Sequence, residues 1–344
     1  MTCLLFAKSV RYHLDMALRD SYGRTIRSLR LSLTDRCNFR CFYCLPNGEP
    51  SLAHKDKILS IEELAQAAEI FVSLGIEKIR LTGGEPLLRR GITSLVASLA
   101  ALKPDLKDIA LTTNGYELPR HVDALKAAGL DRITISLDSL DPKRFTEITG
   151  VDALDKVLNP IDVARDAGFE TIKLKAVVVR GRNEDEVVVM ARFAREKGIS
   201  FRFIEYMPLD SGREWDRTMV VSGREIHDAI DAVFPLELTK ARGRSTAWNY
   251  RFADGAAGEI GIIAPVTDSF CGACSRIRLT ADGQIRTCLF STVEHDLRGA
   301  IRSGADREEI AKFIRGVVHQ KEERHLIDEE EFVQPARSMS FIGG

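Results

Sequence analysis

The stretch CNFRCFYC places Cys37, Cys41 and Cys44 within eight positions, directly after the alternating run SLRLSLT. Three thiolates at Cys-x3-Cys-x2-Cys spacing suit three corners of a cubane iron–sulfur cluster, and stopping at three leaves one metal corner for another ligand. Zinc prefers four donors, and His54 is the nearest residue that could complete a tetrahedron, so zinc stays a rival here. Phe39, Phe42 and Tyr43 would shield a metal from water and tune its potential. A second trio follows far downstream as Cys271-x2-Cys274-x13-Cys288. Its alternative is a Cys3His zinc knuckle using His295. Within it Arg276 and Arg278 alternate on a strand-like run and so point the same way. Paired guanidiniums suit a polyphosphate, which arginine grips bidentately; a solvated basic edge is the plainer reading.

Composition sets the frame for these groups. The chain has 344 residues, 44% apolar and 29% charged, as in a globular protein of one large or two ordinary domains. Lys and Arg number 49 against 50 Asp and Glu. That balance argues against a broad nucleic-acid footprint, while still allowing positive charge to gather in a pocket. No apolar run reaches the length of a membrane span, so the expectation is no membrane and a cytoplasmic location. The acid-free opening MTCLLFAKSVRY reads as a frayed terminus rather than a targeting segment. Of seven cysteines, six fall in the two trios and Cys3 stands alone, which favours metal ligation over a disulfide framework.

The elements that must position the trios alternate in type. Runs at 28–34, 78–83, 108–113, 132–138, 171–179 and 200–206 read as strands. Between them lie amphipathic helices. Ser60 with Glu63 forms a capping box ahead of a helix stopped by Gly75; Asn183 with Glu186 and Ser222 with Glu225 open two more. Six βα units in series mean a parallel sheet. Its strands are not uniformly apolar, as doubly covered parallel strands would be. One face carries Leu29, Leu31 and Leu33, Ile79 and Leu81, Ile109 and Leu111, Ile133 and Ile135, Ile172 and Leu174. The other carries Arg30, Arg80, Thr112, Thr134, Ser136, Asp138, Lys173, Lys175 and Arg202. A polar, basic interior suggests an α/β fold built as an incomplete, laterally open (βα)6 barrel holding a large anionic ligand. Alternation by itself equally admits an open sheet with one partly solvated face. Short strands at LELTK, STAWNYRF and GEIGIIA and helices near 294–303 and 306–321 complete the chain. The expected division is an N-terminal segment 1–22, a barrel 23–235 and a C-terminal α+β elaboration 236–344 covering the barrel opening.

The first trio after a first strand, with Gly83-Gly84-Glu85-Pro86 after the second, resembles the radical S-adenosylmethionine (SAM) superfamily. Alone, GGEP is a strand-to-helix turn whose glycines let the backbone approach a ligand. In that superfamily the fourth iron is chelated by the methionine amino and carboxylate groups of SAM, which accounts for the missing fourth cysteine. LRLSLTDRCNFRCFYCLP, KIRLTGGEPLLRR, LTTNG, ITISLDSL, FIEYMPL, FCGACSRIRLTADGQIRTCLF and the closing Gly343-Gly344 are similar, in order and spacing, to the GTP 3′,8-cyclase family, also called molybdenum cofactor biosynthesis protein A.

That resemblance implies two [4Fe–4S] clusters, one held by Cys37, Cys41 and Cys44 and an auxiliary one by Cys271, Cys274 and Cys288. It implies SAM contacts at Tyr43, Gly84, Ser136 and Met207, and GTP contacts at Arg30, Arg80, Thr112, Lys173, Arg276 and Arg278. It implies a lyase that makes (8S)-3′,8-cyclo-7,8-dihydroguanosine 5′-triphosphate from GTP by radical chemistry, the first step of molybdenum cofactor biosynthesis. Expected partners are an electron donor such as a flavodoxin-type protein and a downstream cyclic pyranopterin monophosphate synthase, and a homodimer is admitted. The Gly343-Gly344 tail is expected to reach the active site. Two departures from the family pattern stand out: Phe42 where an acidic residue is common, and Lys175-Ala176 in place of an Asn-Thr pair. The alternative function is a peptide-modifying radical SAM enzyme with an auxiliary cluster.

Overall fold

Six strands form the centre of the sheet: β1 (Ser28–Ser32), β2 (Lys78–Thr82), β3 (Asp108–Thr113), β4 (Arg132–Ser136), β5 (Ile172–Val178) and β6 (Ser200–Glu205). The computed structural model describes residues 17–45, 52–210, 214–327 and 329–343. Each central strand pairs in parallel with the next, in chain order. The connecting helices are α1 (Ile61–Ser73), α2 (Ile92–Ala100), α3 (Val122–Ala127), α4 (Pro142–Thr149), α5 (Leu154–Asp166) and α6 (Val187–Lys197). They cover the apolar face, where Leu29, Leu31, Ile79, Leu81, Ile109, Leu111, Ile133, Ile135, Leu174, Phe201 and Phe203 are all inaccessible to solvent. One face is thus driven into a helix-covered core by apolar burial, and the polar face is left to line a lumen.

The sheet continues past both edges of the six. From the C-terminal region, β9 (Glu259–Ile263) joins β6 in parallel and is followed outward by β8 (Trp248–Phe252) and β7 (Leu236–Leu238). On the other side β10 (Arg276–Leu279) joins β1 in parallel, then β11 (Gln284–Arg286) and β12 (His295–Asp296). The 12 strands among the described residues form one sheet whose ends, β12 and β7, do not pair with each other there. This is the open barrel expected from the six βα units. α7 (Gly223–Asp231) follows β6, and the described residues from 236 onward flank the opening with strands on both sides and add α8 (Leu297–Arg302), α9 (Arg307–His319) and the short α10 (Met339–Ile342). No described helix is long and apolar enough to cross a membrane.

Local signals match where they are self-contained. Ser60–Glu63 and Ser222–Glu225 both form reciprocal capping boxes, and α1 ends before Gly75 at φ +96°. Asn183 departs from expectation. It makes no side-chain cap; its Oδ1 accepts from Val179 N at 2.8 Å and its Nδ2 donates to the carbonyls of Asp138 (2.7 Å) and Val177 (2.9 Å). Glu186 likewise turns away, accepting from Ser139 Oγ and Leu140 N, so α6 begins only at Val187. The pair ties the end of β4 to the end of β5, a tertiary use of residues whose spacing resembles a cap.

Candidate active site

The lumen encloses a cavity of about 1050 Å³, lined by every cysteine of both trios and by every residue assigned above as a SAM or GTP contact. The first trio occupies the loop after β1. Its backbone is pinned by Arg40 N to Thr149 O (2.8 Å) and Phe42 N to Ile148 O (3.1 Å), and Phe39 is wedged edge-on against Tyr116 and Phe145. Phe42 packs edge-on against Tyr206 beneath the Arg182 guanidinium, an apolar niche that explains how a non-acidic side chain is accommodated there. Tyr43 donates its hydroxyl to Asp138 at 2.6 Å, and the other Asp138 oxygen accepts from Val177 N at 2.8 Å. Glu85 is buried and accepts from Leu87 N, Thr113 Oγ1 and Asn114 N at 2.7–3.0 Å, binding the GGEP turn to the end of β3. Burial drives the Glu85 carboxyl up to about 7 despite these donors.

Gly84 is required by space. A Cβ there would lie 2.2 Å from the Arg36 carbonyl oxygen, in the loop that presents Cys37. Gly84→Ala is therefore expected to displace that loop and lower stability by about 1–3 kcal/mol. Denaturant unfolding and an iron assay of the reconstituted protein check this; unchanged stability with full iron binding would refute it.

The two trios sit in different fields. Burial raises Cys37 to about 11 and Cys44 to about 12 and pushes Cys41 up as well. In the second trio burial also acts upward, but Arg276 and Lys321 bring Cys274 down to about 7, and His325 with Ser269 brings Cys271 to about 6. Cys288 stays raised, chiefly by burial. All six described cysteines are free thiols. Among the described residues no three His, Cys, Asp or Glu side chains converge tightly enough to hold a single ion. Each trio offers thiols alone and all three line the cavity, a donor set whose chemistry suits iron–sulfur ligation. His54 is exposed and paired with Asp56, His295 lies on β12, and neither lines the cavity.

Register aligns the lumen cations. Arg30 stands opposite Arg80 on one side and Arg278 on the other, and Lys175 pairs with Arg202. Arg80 donates to Thr112 Oγ1 (3.0 Å) and Thr134 Oγ1 (3.1 Å). Burial, then mutual repulsion, brings Arg80 and Arg278 to about 9, Lys173 and Lys175 to about 8, and lowers Arg30 and Arg202 too. The guanidiniums stay charged at neutral pH, so these shifts register unneutralised positive charge gathered for an anion. Arg202 Nε is buried with no hydrogen-bond partner, a donor left open toward the same charge. At the far end of the chain, Gly343 carries its carbonyl to Arg278 and its Cα against Thr82 and Ser32. Its φ of +78° suits glycine. Gly344 lies outside the described residues. Alternation along strands had placed Arg202 and Lys175 on this face without a role. Arg24, Lys321 and His325 also line the cavity, and they come from irregular segments with no period to reveal them.

An open parallel barrel with a cysteine loop at its mouth above a glycine turn defines the radical SAM class, and residues 31–194 match the family described as the Radical SAM superfamily. Residues 199–327 match Molybdenum Cofactor Synthesis C. The chain is 43% identical over 334 residues to a GTP 3′,8-cyclase of Rhodopirellula baltica, covering 96% of this chain and 92% of that one. It is 45% identical over 329 residues to a GTP 3′,8-cyclase of Streptomyces coelicolor, covering 95% and 96%. The chain belongs to the GTP 3′,8-cyclase family. Among solved structures, Streptococcus suis SuiB bound to its precursor peptide SuiA shares the fold, with a TM-score of 0.62 at 15% identity over 87% of this chain and 67% of that one.

Proposed function

We propose that this chain converts GTP to (8S)-3′,8-cyclo-7,8-dihydroguanosine 5′-triphosphate, the first step of molybdenum cofactor biosynthesis, using SAM and two [4Fe–4S] clusters. The observation that carries the reading is that two three-cysteine sets and a belt of unneutralised cations line one cavity large enough for a nucleotide triphosphate beside a second ligand. Cys37, Cys41 and Cys44 would hold the cluster that binds SAM, with Tyr43, Gly84, Ser136 and Met207 around it. Cys271, Cys274 and Cys288 would hold the auxiliary cluster. When bound, the first cluster and SAM supply a one-electron cleavage that delivers a radical able to take hydrogen from a ribose carbon.

The protein's own part is placement. Arg30, Arg80, Thr112, Lys173, Arg276 and Arg278 bind the triphosphate and fix the ribose between the two ends of the lumen. The apolar wedge of Phe39, Phe42 and Tyr206 keeps water from the first trio, and the tail closes the lumen over β1 and β2. A cation-lined lumen fits a triphosphate better than a peptide, which separates this reading from the peptide-modifying alternative. The electron donor, the downstream synthase and the division near residue 235 belong to the same proposal. Anaerobic incubation of reconstituted enzyme with GTP, SAM and reductant tests it. Expected are about eight irons per chain and GTP-dependent release of 5′-deoxyadenosine; no 5′-deoxyadenosine from an enzyme with full iron refutes it.

Protonation follows from the same charges. Burial, with the neighbouring arginines, holds Lys173 and Lys175 near 8. A bound triphosphate raises both, so GTP binding at pH 8 takes up about one proton in total, and affinity falls as pH rises above 8. Calorimetry in two buffers of different ionisation enthalpy measures that uptake; proton release would contradict the placement.

A further inference from the structure

The segment 321–327 straps across the second trio. Arg24, itself bound to Asp20 at 2.6 Å, donates to the Cys271 carbonyl (2.9 Å) and to the carbonyls of Glu322 and Glu323 (2.5 Å each). Lys321 donates to the Thr287 carbonyl, beside Cys288, and Glu322 accepts from the Thr287 hydroxyl at 2.7 Å. These ties fix the backbone that presents His325. Its ring stands edge-on to Phe290 at 5.2 Å and lines the cavity that Cys271, Cys274 and Cys288 also line. Both ring nitrogens are buried, and neither reaches a partner at the distance and angle of a formed hydrogen bond. A buried donor left unpaired is costly and rare, so its partner is expected to arrive with what the site binds.

We propose that His325 is a positioning residue of the second trio, its ring N–H donating a hydrogen bond to the Cys271 sulfur once that sulfur is an iron-bound thiolate. A thiol is a weak acceptor and a thiolate a stronger one, so the bond forms on ligation. Arg24 Nη1 bridges the Cys271 and Glu323 carbonyls, which holds the strap that carries His325 against the Cys271 turn. Hydrogen bonds to cluster sulfurs withdraw negative charge and raise the reduction potential. His325 therefore eases reduction of the auxiliary centre, the one facing Arg276 and Arg278. The proposal rests on the reading that Cys271, Cys274 and Cys288 hold an iron–sulfur cluster.

The test uses full-length enzyme reconstituted anaerobically with both centres. In His325→Phe, the reduced-to-oxidised ratio of the auxiliary centre at the wild-type midpoint falls about tenfold, or about 59 mV for one electron. The first-trio cluster keeps its midpoint, and His325→Gln, which retains an N–H, recovers most of the shift. Pulsed EPR of wild type labelled with 15N-histidine shows a weak nitrogen coupling and an exchangeable proton that His325→Phe lacks. An unchanged midpoint in His325→Phe, a strong coupling from imidazole bound directly to iron, or no coupling at all would overturn the proposal. Should His325→Phe fail to hold iron, the exchangeable-proton coupling decides: present in wild type and in His325→Gln it supports the proposal, absent from either it overturns it. A wild type with only about four irons overturns the two-cluster reading, and this proposal with it; full iron without the coupling overturns this proposal alone.

Discussion

Arg278→Ala weakens GTP binding by about 30- to 3000-fold while leaving the ligand-free protein at least as stable as wild type with respect to charge. The first half follows from burial. Arg278 is 6% exposed and stands in register with Arg30, beside Arg276 and the second trio. Truncating one member of a desolvated charge pair costs about 2–5 kcal/mol, which sets the range quoted. The second half follows from repulsion. Burial and the neighbouring arginines lower Arg278 to about 9, so this cation is held against an unfavourable field. Removing it relieves that field but frees the Gly343 carbonyl, so the tail loosens. Equilibrium binding of GTP to the reconstituted variant, thermal unfolding without ligand, and limited proteolysis of the tail read the three effects separately. Arg278→Lys restores charge but not the bidentate fork, and is expected to recover only part of the affinity. Wild-type affinity in the alanine variant would remove Arg278 from the substrate site.

Glu205→Ala is expected to cost at least about 3 kcal/mol of stability. Glu205 is fully buried at the end of β6 and accepts from Gly223 N (2.7 Å), Val266 N (2.8 Å), Thr267 N (3.0 Å) and the Thr267 hydroxyl. Alanine strands three backbone donors, at about 1–3 kcal/mol each before relaxation, against a total stability of about 5–15 kcal/mol. The damage reaches the site. Val266 packs in a small cluster with Leu209, Phe290 and Ile327, against which Met207 and Cys288 rest. Denaturant unfolding should show the loss, with Glu205→Gln intermediate because an amide keeps one acceptor. A shift under about 1 kcal/mol would mean the loop 264–267 is held some other way.

Glu205 also shows where reading along the chain stops. Parity on β6 puts it with Phe201 and Phe203, on the helix-facing side, where a carboxylate is out of pattern. The misfit is visible in the sequence; its partners are not, because Gly223 and the 264–267 loop come from distant chain. The two trios, six strands, two capping boxes and the basic face were all legible, since each follows from local chain geometry: period two in strands, and donor satisfaction within one turn at a helix start. Asn183 and Glu186 met that local rule and still bonded across strands instead.

Alternation states which side of a strand a residue lies on, and leaves open where the edges of the sheet go. That an open barrel forms, that β10 lies beside β1, and that Arg30 therefore meets Arg278 are decided by pairing across more than two hundred residues. The strap that carries His325 is brought to Cys271 in the same manner, through Arg24, and has no period of its own. Local order is set by the backbone within a few residues, whereas the cavity depends on which distant apolar faces and edge strands can be buried together, and only the folded chain resolves that choice.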